Sequence, residues 1–399
     1  MTLAQLLAYG DVHAPAVRVA QTRVALGDAE VRAASPLLPA DPQLTLKLGP
    51  RLTASGSAID AQVILLQRLQ IAGERGLRID AAKRTRRRLR AGLSQVRWTV
   101  HQQLHAGYRR AQVARGRLQA AKRLLAFTER LLHISRRREQ AGAISGLQVQ
   151  VVRGDLAQAQ QAKIAADNAY LAARLRLAQL SGWPVRHLLE PDGRVAAPTA
   201  AVPSARSLLH KAMRSHPALR LTHASIVESE ARLRLAKREV APKPALGVQL
   251  NREGQAAARA SHIVMGVLSL PIPMWQRNQG AVARARARVA VARAEHRALR
   301  RQLHARIARA VAAVRAGAKR IRIYGTKVLP TFGTSLRMLQ RAFEAGKIDV
   351  LQVMVARGRF LEIQRQALNA YDDYYRAVAT LEAVVGSDDW THAGPRGAR

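Results

Sequence analysis

The chain has 399 residues, no cysteine, and 66 Lys+Arg against 26 Asp+Glu, a formal charge of +40. The lack of cysteine excludes disulfides, thiolate metal sites, cysteine nucleophiles and lipidation of an N-terminal cysteine. No apolar run approaches the ~20 residues of a spanning helix, and Met1-Thr-Leu-Ala-Gln-Leu-Leu7 lacks the charged start and apolar core of a signal peptide, so a helical membrane protein is not expected.

The first predicted element is a helix over roughly Thr2 to Ser35, interrupted near Pro15. After Pro42 the period changes to two. Leu44, Leu46 and Leu48 alternate with Thr45, Lys47 and Gly49, and the extended run from Ala61 to Ile71 places Val63, Leu65 and Leu69 on one face. A Ser/Gly/Ala-rich loop from Arg51 to Asp60 separates these runs, giving a β-hairpin over 43–71. A proline-free stretch, 74–141, follows. Its apolar positions Leu89, Leu93, Val96, Val100, Leu104, Tyr108, Ala111, Ala114, Leu118, Ala121 and Leu125 are spaced by three and four, the mark of a long coiled-coil-like helix. A tip turn at 142–147 leads into a shorter returning helix, 147–182.

The pattern then repeats. A linker at 184–205, with Pro184, Pro191, Pro198, Pro203 and Asp192-Gly193, divides a first repeat (1–183) from a second (206–386). In the second, Pro217 stands where Pro15 stood and Pro244 where Pro42 stood. Leu246, Val248 and Leu250, a loop from Arg252 to Ser261, and Ile263, Met265 and Val267 form a hairpin over 245–271. A long helix at 277–345, kinked by Pro330 and carrying Leu299, Leu303, Ile307, Val311, Val314, Ile321, Tyr324 and Val328, reaches a tip turn at 346–351 and a helix at 351–385. The tail, 387–399, is expected to fray. The tips match residue for residue: Ala141-Gly-Ala-Ile-Ser-Gly-Leu-Gln-Val149 returns as Ala345-Gly-Lys-Ile-Asp-Val-Leu-Gln-Val353, offset by 345 − 141 = 204. Each glycine can take the positive φ that ends the incoming helix.

The expected fold is therefore mostly α with a small β part: a duplicated long helical hairpin in a coiled-coil bundle, with four strands per chain. Each N-terminal helix stacks end to end with its returning helix, so strands leave one end of the bundle and the glycine turns occupy the other. Two hairpins alone leave open edges, so something else must complete the sheet. The arginines in Lys83-Arg-Thr-Arg-Arg-Arg88 and Arg284-Ala-Arg-Ala-Arg288 follow helical periodicity with few aromatics nearby, which favours solvated helix faces over a nucleic-acid site.

The duplicated plan, the tip pattern, the closing Leu180-Ser-Gly182 and Val385-Gly386, and Val267-Leu-Ser-Leu-Pro-Ile-Pro273 before Arg277-Asn-Gln-Gly280 resemble TolC-like outer membrane efflux proteins. The chain is most similar to the heavy-metal and cation efflux branch, of the CzcC and CusC kind. Gly73-Glu-Arg-Gly-Leu-Arg78 and Leu329-Pro330 add to the likeness, which spans roughly residues 3 to 386. The resemblance implies a homotrimer whose strands close a twelve-stranded barrel in the outer membrane of a Gram-negative cell, with a helical tunnel extending into the periplasm. It implies a passive exit duct partnered by a periplasmic adaptor and an inner-membrane pump of RND type, with no enzymatic activity, cofactor or resident metal and no nucleic-acid partner. The rivals are an exit duct for type I protein secretion and, in another class, an intracellular basic helical protein that binds nucleic acid or scaffolds partners.

By position, the resemblance assigns Gly142, Ile144, Ser145 and Leu147, with Gly346, Lys347, Ile348 and Leu351, to tip closure and adaptor docking; otherwise they are hairpin-turn residues. Asp349 corresponds to an acidic gate residue, and Gln352 stands where a second acid occurs in TolC. Asp349 is equally a helix cap. Leu44, Leu46, Leu48, Val63, Leu65, Leu246, Val248, Leu250, Ile263, Met265 and Val267 are assigned to lipid. His101 and His105, four apart, suggest a metal pair only weakly, because no acid or cysteine lies near in sequence; they are expected as exposed polar residues. Ser94 and Ser145 have no His and acid motif for nucleophilic catalysis. Trp275 either anchors the membrane interface or packs under the linker. The charge is either a solvated surface or the lining of a tunnel for anionic cargo.

Overall fold

The computed structural model describes residues 1–38, 40–54, 56–193, 195, 201–255, 258–327 and 329–388. The elements run α1 (Leu3–His13), α2 (Pro15–Ala33), β1 (Gln43–Thr53), β2 (Gly56–Arg68), α3 (Glu74–Gln140), α4 (Gly146–Ser181), α5 (Ala205–Ser215), α6 (Pro217–Arg238), β3 (Ala245–Gln255), β4 (Ala258–Ser269), α7 (Gln279–Lys327), α8 (Leu329–Glu344) and α9 (Val350–Val385). The mostly helical, duplicated order with four strands is the expected one. Pro198, Val328 and most of the expected tail lie outside the described residues.

Two boundaries differ from expectation. The two predicted loops are largely strand, since β1 reaches Thr53 and β2 starts at Gly56, while β3 reaches Gln255 and β4 starts at Ala258. Small and charged residues masked these ladder ends, which are tied by the ion pairs of Arg51 with Asp60 (2.8 Å) and Glu253 (3.3 Å). At the other end β2 stops at Arg68, before Gly73 turns the chain with φ +77°. In the long second helix Val328 lies outside the described residues, and α7 and α8 are described on either side of it.

The chain forms two compact units, Met1–Ala20 with Leu93–Leu219 and Leu299–Arg399, and Gln21–Gly92 with Arg220–Ala298. Each draws on both sequence repeats. In the first unit, Val100, Leu104, Tyr108 and Ala111 of α3 join Leu6, Leu7, Val17 and Leu177 in one core. A second core gathers Leu208 and Ala212 of α5, Leu303, Ile307, Val311, Val314 and Ile321 of α7, and Tyr371, Tyr374, Val378, Leu381 and Val385 of α9. The three-and-four spacing is thus a burial pattern. Burial drives the Tyr374 hydroxyl up to about 12.

The C-terminal cap of each returning helix meets the break in the N-terminal helical segment of its own half. Gly182, the C-cap of α4 with φ +76°, lies so close to the α1–α2 break that an added Cβ would collide with the His13 carbonyl. Gly386, the C-cap of α9 with φ +80°, stands in the same way against the α5–α6 break, where a Cβ would meet His216 Cα at 2.9 Å and Pro217 Cδ at 3.1 Å. The linker lies on α3 and α4: Tyr108 Oη and Gln112 Nε2 donate to the Asp192 carbonyl (3.0 and 2.7 Å), and Arg174 donates to the carbonyls of Leu188 and Leu189.

In the second unit the strands form one antiparallel sheet of order β1-β2-β3-β4. Its middle ladder joins the two repeats, pairing Val63 with Leu250 and Leu65 with Val248. Gly247 is demanded by that ladder, since any Cβ would strike the Leu65 carbonyl. The helices beside it are held by polar contacts. Buried Glu228 accepts from Thr85 Oγ1 (2.9 Å) and pairs with Arg88 and with Arg232 (2.8 Å).

Candidate functional site: the hairpin tips and the sheet faces

Both tips use the same chemistry. In the first, Gly142 (φ +69°) ends α3, with Ala143 N donating to Arg138 O at 2.8 Å. In the second, Gly346 (φ +73°) ends α8, and Lys347 N donates to Ala342 O at 2.9 Å. Each closes orphan carbonyls in a left-handed cap. Next comes a reciprocal capping box. Ser145 Oγ accepts from Gln148 N (3.4 Å) while Gln148 Oε1 accepts from Ser145 N (3.1 Å). Asp349 Oδ1 accepts from Gln352 N (2.7 Å) while Gln352 Oε1 accepts from Asp349 N (3.1 Å). Asp349 is therefore a cap, with its carboxylate at the positive end of α9.

The tips share a core of Phe127, Leu131, Leu132, Val149, Val152, Phe343, Val350 and Val353, with Ile144 and Ile348 half-buried against it. Val350 is buried where the first tip has exposed Gly146. The other expected docking residues, Gly142, Ser145, Leu147, Gly346, Lys347 and Leu351, are exposed, as are the expected gate residues Asp349 and Gln352.

Two interactions here were not foreseen. Arg138 of α3 donates to the Phe343 carbonyl of α8 (3.0 Å) with its guanidinium 4.9 Å from the Phe343 ring centroid, so it clasps one tip to the other. Behind the turns, Asp155 of α4 and Arg357 of α9 form a buried ion pair at 2.7 Å, with Thr128 of α3 3.5 Å from the guanidinium. The available signal was a carboxylate on the apolar face of a helix. Its partner lies 357 − 155 = 202 residues away, and sequence spacing cannot reveal that.

His101 and His105 are not the exposed residues expected. His105 is buried with Nδ1 2.6 Å from Glu382 Oε2, and His101 is half-buried with Nε2 2.9 Å from Asp388 Oδ2. The acids come from the far end of the chain, which is why local sequence showed none. Burial pulls the His101 imidazole down, but the Asp388 hydrogen bond and the fields of Asp388, Asp11 and Glu382 more than offset it, and the net shift is upward. His216 goes the other way, lowered by burial. Among the described residues no cluster fits a metal ion.

The sheet register divides the residues expected to face lipid between two faces. Leu44 lies opposite Leu65, Leu46 opposite Val63, and these continue to Val248 and Leu250, with Leu246 two residues along, so those positions and Leu48 share one face. Ile263, Met265 and Val267 pair with Asn251, Gln249 and Gly247 and therefore occupy the opposite face, with Thr45 and Lys47. The β4 residues on the leucine face are Val264, paired with Leu250, and Leu268, paired with Leu246. Every residue of the run Ile263-Val-Met-Gly-Val-Leu268 is apolar or glycine, so periodicity alone could not choose its face. The opposite face also carries Gln62, bonded to Asn251 Oδ1 at 3.1 Å, beside a trough of about 350 Å³ lined in part by Lys47, Arg51, Asp60 and Glu253. Trp275 is exposed rather than packed. Among the described residues no helix is long and apolar enough to cross a membrane.

The sequence profile of the family described as "Outer membrane efflux protein" matches residues 11–183 and 208–387. The cobalt-zinc-cadmium resistance protein CzcC of Cupriavidus metallidurans is 26% identical over 322 residues, covering 80% of this chain and 75% of that protein. The nickel-cobalt-cadmium resistance protein NccC of Alcaligenes xylosoxydans xylosoxydans is 25% identical over 300 residues, 75% of this chain and 67% of that protein. Among solved structures CusC, studied for transmembrane channel formation, superposes with a TM-score of 0.73 at 14% identity over 97% of this chain and 92% of that one.

Proposed function

The chain belongs to the outer membrane efflux protein family, whose members are channels and not enzymes, and on that premise we propose that it is the passive exit duct of a three-part efflux system. In this reading three copies close their sheets into one barrel in the outer membrane, an adaptor docks at the tips from the periplasm, and an RND-type pump in the inner membrane supplies the driving force. The cargo is a metal cation or a small molecule, metal cations being favoured by the resistance relatives.

The observation that carries the proposal is the sheet. Leu44, Leu46, Leu48 and Leu250 are exposed on one face, the other carries Thr45, Lys47, Gln62, Gln249 and Asn251 together with the apolar Ile263, Met265 and Val267 of β4, and β1 and β4 are open edges. Closure between copies satisfies the edge hydrogen bonds and gives the apolar face to lipid. Asp349 adds the gate: three-fold symmetry brings three of its carboxylates near the axis, where they favour cations. Gln352 is uncharged, so the ring has one acidic tier.

The test is conductance. The purified full chain should form heat-sensitive trimers and open cation-preferring channels in a planar bilayer, and Asp349→Asn should abolish the preference while keeping the cap. A soluble monomer without conductance, or one that binds DNA with steep salt dependence, would overturn the reading.

A further inference from the structure

Two connections lead from the sheet into a long helix, one in each repeat, and they differ. β4 leaves through Leu270-Pro-Ile-Pro-Met-Trp275, in which Leu270 is 53% exposed, Ile272 76%, Met274 58% and Trp275 81%. Leu268, on the leucine face of β4, is exposed as well, so the connector prolongs that face beyond the ladder. The counterpart between β2 and α3 is closed on the protein. Leu69 N donates to the Pro244 carbonyl (2.8 Å), Arg75 to that of Ser35 (2.8 and 3.0 Å), and Arg78 to those of Ala34 and Pro36 (3.1 and 3.0 Å). The duplicated fold therefore does not itself require four exposed apolar side chains at this place.

Cations gather beside the β4 connector. Asn278, in the left-handed region at φ +55°, donates from Nδ2 to the Ala236 carbonyl at 2.9 Å and so pins the end of α6 to the start of α7. That bond brings together Lys237 and Arg238 in the last turn of α6, Arg277, and Arg284, Arg286 and Arg288 near the start of α7, all exposed. Among the described residues none of these six side chains makes an ion pair. The exposed acids in the segments that enter the sheet at this end are Asp41 and Glu239, too few to balance them. A run of charge on a helix is ordinarily a solvated face, yet solvation does not call for an apolar connector beside it.

We propose that this end of the sheet binds anionic phospholipid: Leu270, Ile272, Met274 and Trp275 enter the boundary between headgroups and acyl chains, and the six cations take the phosphates. This rests on the barrel reading and adds the class of lipid that the barrel's helical end selects. Charge and continuity choose the occupant. A neighbouring copy would set the same cations against one another, whereas an anionic headgroup layer complements them, and the leucine face leads directly into the connector. Long Lys and Arg stems reach phosphates while the apolar residues stay in the acyl layer, and a tryptophan suits that boundary.

The test titrates detergent-solubilised full-length trimers with phosphatidylglycerol and, separately, phosphatidylcholine, and counts bound lipid by native mass spectrometry. The parent should retain phosphatidylglycerol at least roughly tenfold better. Arg277→Gln/Arg284→Gln/Arg288→Gln should bring the two lipids level, and Ile272→Ser/Trp275→Ser should weaken both. Arg301→Gln/Arg306→Gln/Arg309→Gln removes as much charge from exposed positions farther along α7 and should keep the parent's preference. Brominated phosphatidylglycerol should quench the emission that Trp275→Phe removes. Equal retention of the two lipids by the parent, equal loss in both arginine triples, displacement of the lipid by inorganic phosphate, or Trp275 emission untouched by brominated lipid because another copy covers it, would overturn the proposal. Conductance of the same preparations in phosphatidylcholine bilayers keeps the two readings apart. Conduction without lipid preference sinks only the lipid site, whereas absence of conduction sinks the channel and the lipid site with it.

Discussion

The buried pair of Asp155 and Arg357 supports a sharp prediction. Both side chains are buried, they meet at 2.7 Å, and they join α4 to α9 behind the tips. Arg357 Nε has no hydrogen-bond partner among the described residues, so the pair is incompletely satisfied. Replacing one member strands a charge in the core, which costs about 3–5 kcal/mol, while replacing both with apolar residues of similar volume is neutral or stabilising by about 1–4 kcal/mol. Arg357→Met or Asp155→Leu alone should therefore raise the local opening equilibrium of the tip by roughly two to almost four orders of magnitude at 1.36 kcal/mol per decade. The double variant should restore it. Hydrogen exchange of α4 and α9 amides in the full-length protein, resolved by mass spectrometry, reads this directly. A double variant as labile as the worse single, or singles that exchange like the parent, would refute the argument.

Further outcomes follow from other residues. Gly346→Val puts a β-branched residue at φ +73°, so trimers should persist while tip proteolysis rises and efflux falls; unchanged resistance to efflux substrates would count against the tip's role. Asp349→Ala should lose the α9 cap, about 0.5–2 kcal/mol, whereas Asp349→Asn should not, and helix content on thermal melting separates them. Val264→Lys on the leucine face should block outer-membrane assembly, at about 2–4 kcal/mol for a cation at mid-bilayer, while Met265→Lys on the opposite face should assemble. His101, held above its ordinary value, contributes stability that is full below about pH 6.5 and is lost as pH rises through its folded pKa. The stability gap between the parent and His101→Gln should accordingly shrink as pH is raised from about 6 to about 8; a gap that is flat with pH would remove the Asp388 interaction from the account.

The helices and turns were legible because their causes are local. Three-and-four spacing located the faces of α3 and α7, and Gly142 and Gly346 located the turns through the one backbone region that glycine enters freely. The sheet was half legible: the even alternation of Leu44, Leu46 and Leu48 named its face, but the uniformly apolar β4 gave none, and its neighbours' register decided. Whatever depends on distant pairing was hidden. Glu382 and Asp388 reach His105 and His101 from the other end of the chain, and Arg357 finds Asp155 rather than a residue in its own hairpin. Divergence between the repeats offered a clue there. Position 153 is an exposed arginine and its counterpart 357 a buried one, while Asp155 corresponds to exposed Arg359, so the duplicated helices were remade to hold each other.

The joints at Gly182 and Gly386 carry a shared consequence. Each requires a left-handed glycine and, facing it, a proline-broken helix that leaves no room for a Cβ. A side chain at either glycine would have to push the facing break aside, so the two halves carry the same steric constraint at corresponding places.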